Sequence, residues 1–194
     1  MAQPVIHGPA YSTYTRTVRL ALEEKGTPYK LEEVDVLKGA GQQPEHLARH
    51  PFGKVPAATI DDTTMYEASA ITHYIDDTVS GPKLQPADAK ARARMNQMIG
   101  IVDSYGYPSM ISVVFQRVVN PLLGAPVDEK AVADARPKAE KSLAALEALA
   151  DSSNCRRHGS EVNRKGLRLR HHLPLGIADR GAEIHDVANA DGMR

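Results

Sequence analysis

Apolar positions in the first 80 residues switch several times between the alternation typical of strands and the three- and four-residue spacing typical of helices. Val18, Ala21 and Leu22, for example, share one face of a helix that ends at Gly26 and that Pro28 cannot continue. The pattern predicts, in order, a strand over 4–7, a helix over 15–25, a strand over 29–36, a helix over 44–50, strands over 57–60 and 64–66, and a helix over 67–76.

This order of elements, β-α-β-α-β-β-α, is that of a thioredoxin-like domain, a small mixed α/β sheet with helices packed on its faces. We assign the domain to residues 1–79. Residues 80–87 contain one glycine and two prolines, which interrupt any helix. They therefore predict a linker to a second domain.

The pattern after the linker is helical and predicts an all-α bundle over residues 88–150. Apolar residues recur at helical spacing over 88–120, and a kink is expected where Gly106 and Pro108 interrupt the backbone hydrogen bonds. Two further helices are predicted over 128–135 and 138–150.

Residues 151–194 differ in composition from the rest of the chain. They hold four of the eight histidines, and the basic side chains of residues 156–172 are opposed only by Glu161. Leucines alternate with arginines over 162–173, so no apolar stripe forms, and glycines and a proline weaken any helix further. We expect this basic, histidine-rich tail to be atypical and poorly packed. Nucleic-acid binding by this basic run is disfavoured, because the run contains no aromatic residue that could stack on a base.

The overall charge and the cysteine count exclude several classes of function. The 24 Lys and Arg balance the 24 Asp and Glu, so net charge attracts neither nucleic acid nor an anionic membrane. We expect no apolar run of the roughly 18 residues that cross a bilayer and no signal peptide, and hence a cytoplasmic protein. The single cysteine, Cys155, excludes an internal disulfide, a CxxC redox pair and a cysteine-based zinc site, and no metal is expected.

Five short motifs in the first domain carry a resemblance to a known family. They read HGPAYST from His7, EEKG from Glu23, QPE from Gln43, HPFGKVPA from His50 and EASAI from Glu67. In this order and spacing they resemble the glutathione S-transferases, most closely the serine-type, phi-like class of plants and bacteria. The helical region to about residue 150 is compatible with the second domain of that family.

The resemblance implies that Ser12 activates the thiol of glutathione. A thiol has a pKa near 8.5, and only the thiolate attacks electrophiles. A hydroxyl at a helix N-terminus donates a hydrogen bond to the sulfur while the helix dipole adds positive potential. On position alone, the favoured role of Ser12 is that of a helix cap. Tyr11, Thr13 and Tyr14 are neighbouring hydroxyls that have to be compared with it.

The resemblance also implies contacts along the middle of glutathione. The bond before Pro56 is expected to be cis and to present the backbone of Val55 to the cysteinyl residue. Phi-like members carry a His-Lys pair for the glycyl carboxylate where this chain has Gly41-Gln42, which leaves Lys54 and Gln42 as substitutes. Alternatively, Pro56 is an ordinary loop proline, and Lys54 is a solvated surface lysine.

The γ-glutamyl end of glutathione is expected at Glu67 and Ala68. In the family, an acid faces the ammonium group there and a helix N-terminus faces the α-carboxylate. The serine that follows the acid in the family is Ala68 here, so one hydroxyl is lost and weaker binding is expected. Independently of glutathione, Glu67 fits a first-turn acid that complements the helix dipole.

An apolar electrophile site is expected from Tyr11, Tyr105, Tyr107 and Met110. Aromatic and methionine side chains suit varied apolar ligands. Met110, like Phe115, fits a plain core residue at helical spacing equally well.

The function predicted from the sequence is that of a glutathione transferase that conjugates glutathione to small hydrophobic electrophiles. Glutathione is its co-substrate, and no cofactor, nucleic acid or membrane partner is expected. The resemblance implies a homodimer. The rival prediction is a non-catalytic binding protein of the same fold, because fold alone does not fix function.

Overall fold

The computed structural model describes residues 2–152, which fall into two compact units, the first ending at Gly100 and the second beginning at Ile101. The domain boundaries proposed from the sequence, at 79 and 88, stay predictions. Residues 153–194, and with them most of the predicted tail, lie outside the described residues.

A four-stranded sheet organises the first unit. Its strands are β1 (Val5–His7), β2 (Lys30–Glu32), β3 (Ala57–Ile60) and β4 (Thr63–Tyr66), in the spatial order β2-β1-β3-β4. β1 is parallel to β2 and antiparallel to β3, and β3 is antiparallel to β4. The predicted thioredoxin-like α/β fold is confirmed.

Three helices complete this unit: α1 (Thr13–Glu24), α2 (Pro44–Leu47) and α3 (Ala68–Thr78). α1 packs against α3, and both present apolar stripes at helical spacing. The core contains side chains from both helices and from the two central strands, all fully buried: Ile6, Val18, Leu22, Ile60, Ile71 and Ile75.

The strand predicted over 29–36 is wrong in its second half. β2 ends at Glu32, and a 3₁₀ turn follows over Val36–Lys38. Asp35 ends the extended segment because its carboxylate accepts hydrogen bonds from the backbone N–H groups of Leu37, at 3.1 Å, and Lys38, at 3.3 Å. The Asp35 side chain thus takes backbone N–H groups that would otherwise be free to pair with a neighbouring strand. A second 3₁₀ turn spans Ala40–Gln42.

A buried ion pair joins α1 to α3. Lys25 Nζ lies 2.6 Å from Asp76 Oδ1, and both side chains are almost fully buried. The same carboxylate accepts hydrogen bonds from the backbone N–H groups of Leu84 at 2.8 Å and Gln85 at 3.1 Å. Asp76 therefore ties both helices to the segment that follows them.

A long helical run begins with α4 (Ala89–Ile101) and continues through α5 (Tyr107–Val114) to α6 (Asn120–Leu122). π turns over Val102–Gly106 and Phe115–Val119 connect these helices. Each π turn precedes a proline, Pro108 or Pro121, which has no N–H for the regular helical hydrogen bond. The interruption expected at Gly106 and Pro108 therefore takes the form of a π turn.

The two helices predicted over 128–135 and 138–150 are a single helix, α7 (Glu129–Ser152), so this prediction is wrong. Pro137 lies inside it at an exposed position. Ion pairs at i and i+4 support the helix before this proline, Lys130 with Asp134, and across it, Arg136 with Glu140. α7 packs against α5, and the second unit is helical as predicted.

The expectation that no segment is apolar enough to cross a membrane needs a correction. The helical run Ala89–Leu122 is long enough, with a window of mean hydropathy 1.2, and 11% of that window is buried. The sequence prediction looked for an apolar run without charged residues. The run Ala89–Leu122 contains a few of them and was therefore missed. Length and composition are weak evidence for a membrane span, because core helices of soluble proteins meet the same criterion.

The composition of the tail leads to a proteolysis prediction. Brief treatment with trypsin is expected to cut first in the basic run of residues 156–170, because this run lacks an apolar stripe that would bury it. The product expected is a core that ends near residue 150, measured by mass spectrometry of the intact fragments. Protection of every bond in that run under native conditions would show a packed tail.

Candidate functional site

The register of the sheet brings several loops to one edge. His7, at the end of β1, pairs with Ala57, at the start of β3, and Ala57 pairs with Tyr66, at the end of β4. The chain therefore leaves β1 for α1, enters β3 and leaves β4 for α3 at the same edge of the sheet. We call this the loop edge; it comprises residues 8–12, 54–56 and 67–68.

Close packing joins two segments of the loop edge. A Cβ added at Gly8 would lie 2.5 Å from Thr15 Oγ1 and 3.3 Å from Val55 Cβ. Gly8 thus lets the β1–α1 connection pass directly beside the segment before β3. The structure brings the connection before α1 and the Val55–Pro56 segment together.

Ser12 is the N-cap residue of α1. Its Oγ accepts a hydrogen bond from the backbone N–H of Thr15 at 3.4 Å, and the Ser12 side chain is half-buried. This bond uses a lone pair on the oxygen, so the hydroxyl hydrogen stays available for donation. Capping and donation to a sulfur anion are therefore compatible functions of one hydroxyl.

The neighbouring hydroxyls have other surroundings. The Tyr11 hydroxyl donates to Asp35 Oδ1 at 3.2 Å, and burial together with this bond raises the pKa of Tyr11. Tyr14 packs against the hydrophobic core. Thr13 is exposed in the first turn of α1. Of the four hydroxyls, only that of Ser12 both caps the helix and stands at its N-terminus.

The Val55–Pro56 peptide bond is cis, as the resemblance implies. Pro56 is buried, and Val55 is half-buried beside Gly8. The bond lies one residue before β3, so the backbone of Val55 stands at the loop edge. An extended ligand can pair with backbone groups in such a position.

Lys54 and Gln42 lie on adjoining loops. Gly53 adopts a φ of 63°, and a Cβ at this position would collide with the side-chain amide of Gln42. Both side chains are exposed. An ammonium group and a neutral amide donor therefore flank the loop that leads to Val55.

Two buried histidines, which the sequence analysis did not single out, hold that loop. His46 Nε2 lies 2.7 Å from the backbone oxygen of Lys54, and His50 contacts the ring of Tyr66 with 4.7 Å between ring centroids. Burial lowers the pKa of His50, and the carboxylate of Glu67 opposes this shift. His46 and His50 are four residues apart, which places them on one side of a helical turn and was the signal that could have been used.

His7 is a structural residue of the sheet. It is 4% exposed, with Nδ1 3.0 Å from Glu32 Oε2 and Nε2 3.2 Å from Thr59 Oγ1. Burial is the main cause that lowers its pKa, and Arg49 adds to the effect. The ring is therefore held between the neighbouring strands.

Glu67 and Ala68 form the N-terminus of α3, as predicted. Glu67 has a φ of 70°, a region that costs a residue other than glycine about 1–3 kcal/mol. No side chain caps α3 at this end, and the Glu67 carboxylate is exposed. Open backbone N–H groups beside an exposed acid can hold a carboxylate and an ammonium group of one ligand.

Ala68 allows a direct test of the glutamyl subsite. Ala68→Ser is expected to tighten glutathione binding by up to about 1 kcal/mol, because the new hydroxyl adds a hydrogen bond to a charged carboxylate. Isothermal titration calorimetry measures this gain, and Ser69→Ala is the matched control one residue further along α3. An unchanged affinity in Ala68→Ser would mean that the backbone already satisfies the carboxylate.

The other predicted electrophile residues belong to the second unit, whereas Tyr11 belongs to the first. Tyr105 is 67% exposed and lines a groove of about 780 Å³ between α5 and α7. Tyr107 and Met110 are half-buried, and burial raises the pKa of Tyr107. In the described part of the chain, no group of three His, Cys, Asp or Glu side chains is arranged to hold a metal ion.

Comparison with known proteins agrees with this arrangement. Residues 11–78 match the family model for the glutathione S-transferase N-terminal domain. Glutathione S-transferase F10 of Arabidopsis thaliana is 32% identical over 145 residues, which cover 74% of this chain and 67% of that protein.

Solved structures of glutathione transferases are also similar to this chain, over residues of both units. Glutathione transferase F7 of Populus trichocarpa is 33% identical, with a TM-score of 0.68 over 77% of this chain and 71% of that one. A glutathione S-transferase I bound with lactoylglutathione is 28% identical, with a TM-score of 0.65 over 76% and 70% of the two chains. With its N-terminal domain, its second helical unit and its similarity to plant F-type enzymes in agreement, the chain belongs to the glutathione S-transferase family and is a phi-like member of it.

Proposed function

We propose that this transferase ionises the thiol of glutathione at Ser12 and transfers the thiolate to a small hydrophobic electrophile, as in detoxification. The observation that carries the proposal is the loop edge. There, the register of β1, β3 and β4 places the N-terminus of α1, the Val55–Pro56 bond and the N-terminus of α3 side by side.

The thiolate is stabilised at the start of α1. The Ser12 hydroxyl donates to the sulfur while its oxygen accepts from Thr15, and the helix dipole adds positive potential. Lowering the thiol pKa by two units needs about 2.7 kcal/mol. A charge-assisted hydrogen bond and a helix N-terminus together reach this value. The proton of the thiol leaves to solvent before the sulfur attacks the electrophile.

The remaining groups bind glutathione without taking part in bond formation. The backbone of Val55, held before the cis Pro56, pairs with the cysteinyl residue. Glu67 faces the ammonium group, and the open N-terminus of α3 at Ala68 faces the α-carboxylate. Lys54 and Gln42 serve the glycyl carboxylate in place of the His-Lys pair. The complex of a relative with lactoylglutathione supports a glutathione-type ligand.

Within the second unit, the electrophile is proposed to contact Tyr105, Tyr107 and Met110. The reaction uses glutathione as co-substrate and needs no cofactor in this scheme. We also propose a cytoplasmic homodimer. The aromatic pair of Phe52, 67% exposed, and Tyr66, 36% exposed, supports self-association, since exposed aromatic patches mark interaction surfaces.

A two-step assay tests the proposal. The full chain is expected to bind immobilised glutathione and to elute with free glutathione, and then to conjugate 1-chloro-2,4-dinitrobenzene faster than the uncatalysed reaction. Two features favour the rival function of a non-catalytic binding protein, the missing hydroxyl at Ala68 and the neutral Gly41-Gln42. Binding without conjugation would support that rival, and absence of both would refute a glutathione site.

A further inference from the structure

A buried histidine of α2 holds the segment that leads into β3. His46 is 3% exposed, and its Nε2 lies 2.7 Å from the backbone oxygen of Lys54. Because a carbonyl oxygen only accepts hydrogen bonds, Nε2 carries the hydrogen and donates it. The distance is at the short end of the range for N–H···O bonds. The bond therefore gives α2 a firm hold on the backbone of this segment.

The position of the Lys54 carbonyl sets the direction of the next N–H group. The peptide bond between Lys54 and Val55 is trans, so its C=O and N–H groups point in opposite directions within one plane. With the Lys54 oxygen held toward α2, the Val55 N–H points away from α2. No backbone carbonyl of residues 2–152 accepts a hydrogen bond from this N–H. The donor is thus oriented by α2 and available to a ligand.

Contacts on either side of this peptide bond leave its rotation open. Before it, the Gly53 N–H donates to a backbone oxygen at 2.8 Å, and after it, the Val55 side chain packs beside Gly8. Neither contact involves the carbonyl of Lys54 or the N–H of Val55. The peptide plane can therefore turn between these two contacts while both are kept. The bond from His46 is what fixes the plane.

We infer that His46 is a positioning residue for glutathione. By holding the Lys54 carbonyl, it turns the Val55 N–H toward the backbone of the cysteinyl residue, which pairs with this N–H as an added strand would. His46 acts through the backbone and contributes no group to the reaction. The inference rests on the proposed glutathione site, and it adds that a side chain on the buried face of α2 controls the affinity of that site.

The role of His46 requires one tautomer of its ring, which can be measured without glutathione. Nε2 has to carry the hydrogen, so Nδ1 of the neutral ring is bare. In agreement, Nδ1 is buried and has no hydrogen-bond partner among the described residues. Nitrogen-15 NMR of the full chain at pH 8 is expected to show the Nε2–H tautomer, with the His46 signals assigned by their loss in His46→Gln. The Nδ1–H tautomer would overturn the inference.

Binding and turnover separate the role of His46 from that of Ser12. His46→Leu removes the donor and is expected to weaken glutathione binding by about three- to tenfold, as for one lost hydrogen bond. The kcat at saturating glutathione is expected to stay within about twofold, and the pKa of the bound thiol to stay unchanged, because the start of α1 is untouched. Isothermal titration calorimetry, steady-state kinetics and thiolate absorbance measure the three quantities.

Matched variants separate a lost donor from a disturbed fold. His46→Gln keeps an N–H donor near the position of Nε2 and is expected to bind glutathione within about twofold of the wild-type chain. His73→Leu is the control, because His73 is a half-buried histidine of α3 whose Nε2 has no hydrogen-bond partner among the described residues. Thermal unfolding shows which variants fold, and His46→Met replaces His46→Leu if the latter does not.

The outcomes distinguish this inference from the proposed function. If the wild-type chain does not bind glutathione, the proposed site is refuted, and the role of His46 with it. If the wild-type chain binds glutathione and the donor-free variant binds it equally well, His46 is a purely structural residue, and the inference is overturned while the site stands. Equal losses of affinity in His46→Leu and His46→Gln, or a loss of kcat as large as the loss of affinity, would also overturn it.

Discussion

Ser12→Ala is expected to slow conjugation at pH 7 by up to about 25-fold. If the site lowers the thiol pKa from about 8.5 by two units, the thiolate fraction rises from about 3% to about 75%, and the variant loses the part of this gain that the Ser12 hydroxyl supplies. Much of the glutathione binding is expected to remain, because Val55, Glu67 and Ala68 are untouched. The loss of the bond to Thr15 also removes a helix cap, worth about 1 kcal/mol of stability.

A neighbouring hydroxyl provides the matched control for this variant. Thr13→Ala removes an exposed hydroxyl one residue away and is expected to leave conjugation within about twofold. Thermal unfolding of both variants measures the stability lost with the helix cap, and the conjugation rate measures the loss of the hydrogen bond to the sulfur. If Ser12→Ala lowers stability and leaves the rate unchanged, Ser12 is only a cap, and Tyr11, Thr13 and Tyr14 become the hydroxyls to test.

Lys25→Met is expected to lower the free energy of unfolding by about 3–5 kcal/mol. The change leaves the buried Asp76 carboxylate without its ammonium partner, and uncompensated buried charges are strongly destabilising. Chemical denaturation monitored by circular dichroism measures the effect. Lys30→Met is the control, because Lys30 pairs with Glu32 at the surface, where an ion pair contributes about 0–1 kcal/mol.

The same ion pair gives the protein an acid-sensitive stability. Burial alone would raise the pKa of Asp76, but Lys25 and the backbone N–H groups of Leu84 and Gln85 hold the pKa well below its usual range. The stabilisation is therefore complete above the unfolded-state pKa of about 3.9 and is lost progressively as the pH falls from there through the lower pKa of the folded state. Asp76→Asn is expected to reduce the steepness of acid unfolding in that range. An unchanged pH profile would show that other groups control it.

The periodic parts of the fold could be predicted from the sequence. β3, β4 and α3 follow simple two-residue or helical periods, so their boundaries differ from the prediction by two residues at most. β2 was predicted too long because the carboxylate of Asp35 captures the backbone N–H of Leu37. The sequence predicts two helices in place of α7 because a proline inside a helix usually breaks it. In the structure, Pro137 lies on the exposed side of α7, and the helix continues through it.

The resemblance to the glutathione S-transferases supplies the residues of the candidate site, whereas the sequence pattern alone supplies their positions at element boundaries. Ser12 follows a strand and begins a helix, and Glu67 does the same at α3. The contact of His46 with the Lys54 carbonyl and the pairing of Lys25 with Asp76 leave no periodic signal, because each joins residues through the fold. The positive φ of Glu67 is equally absent from any residue pattern.

The ionisation of bound glutathione tests the central claim most directly. Ultraviolet difference absorbance of the thiolate, recorded against pH with the wild-type chain at saturating glutathione, gives the pKa of the bound thiol. We expect a midpoint about two units below that of free glutathione, and in Ser12→Ala, which keeps only the helix N-terminus, a midpoint shifted back towards the free value. A wild-type midpoint equal to that of free glutathione would contradict activation of the thiol at the start of α1.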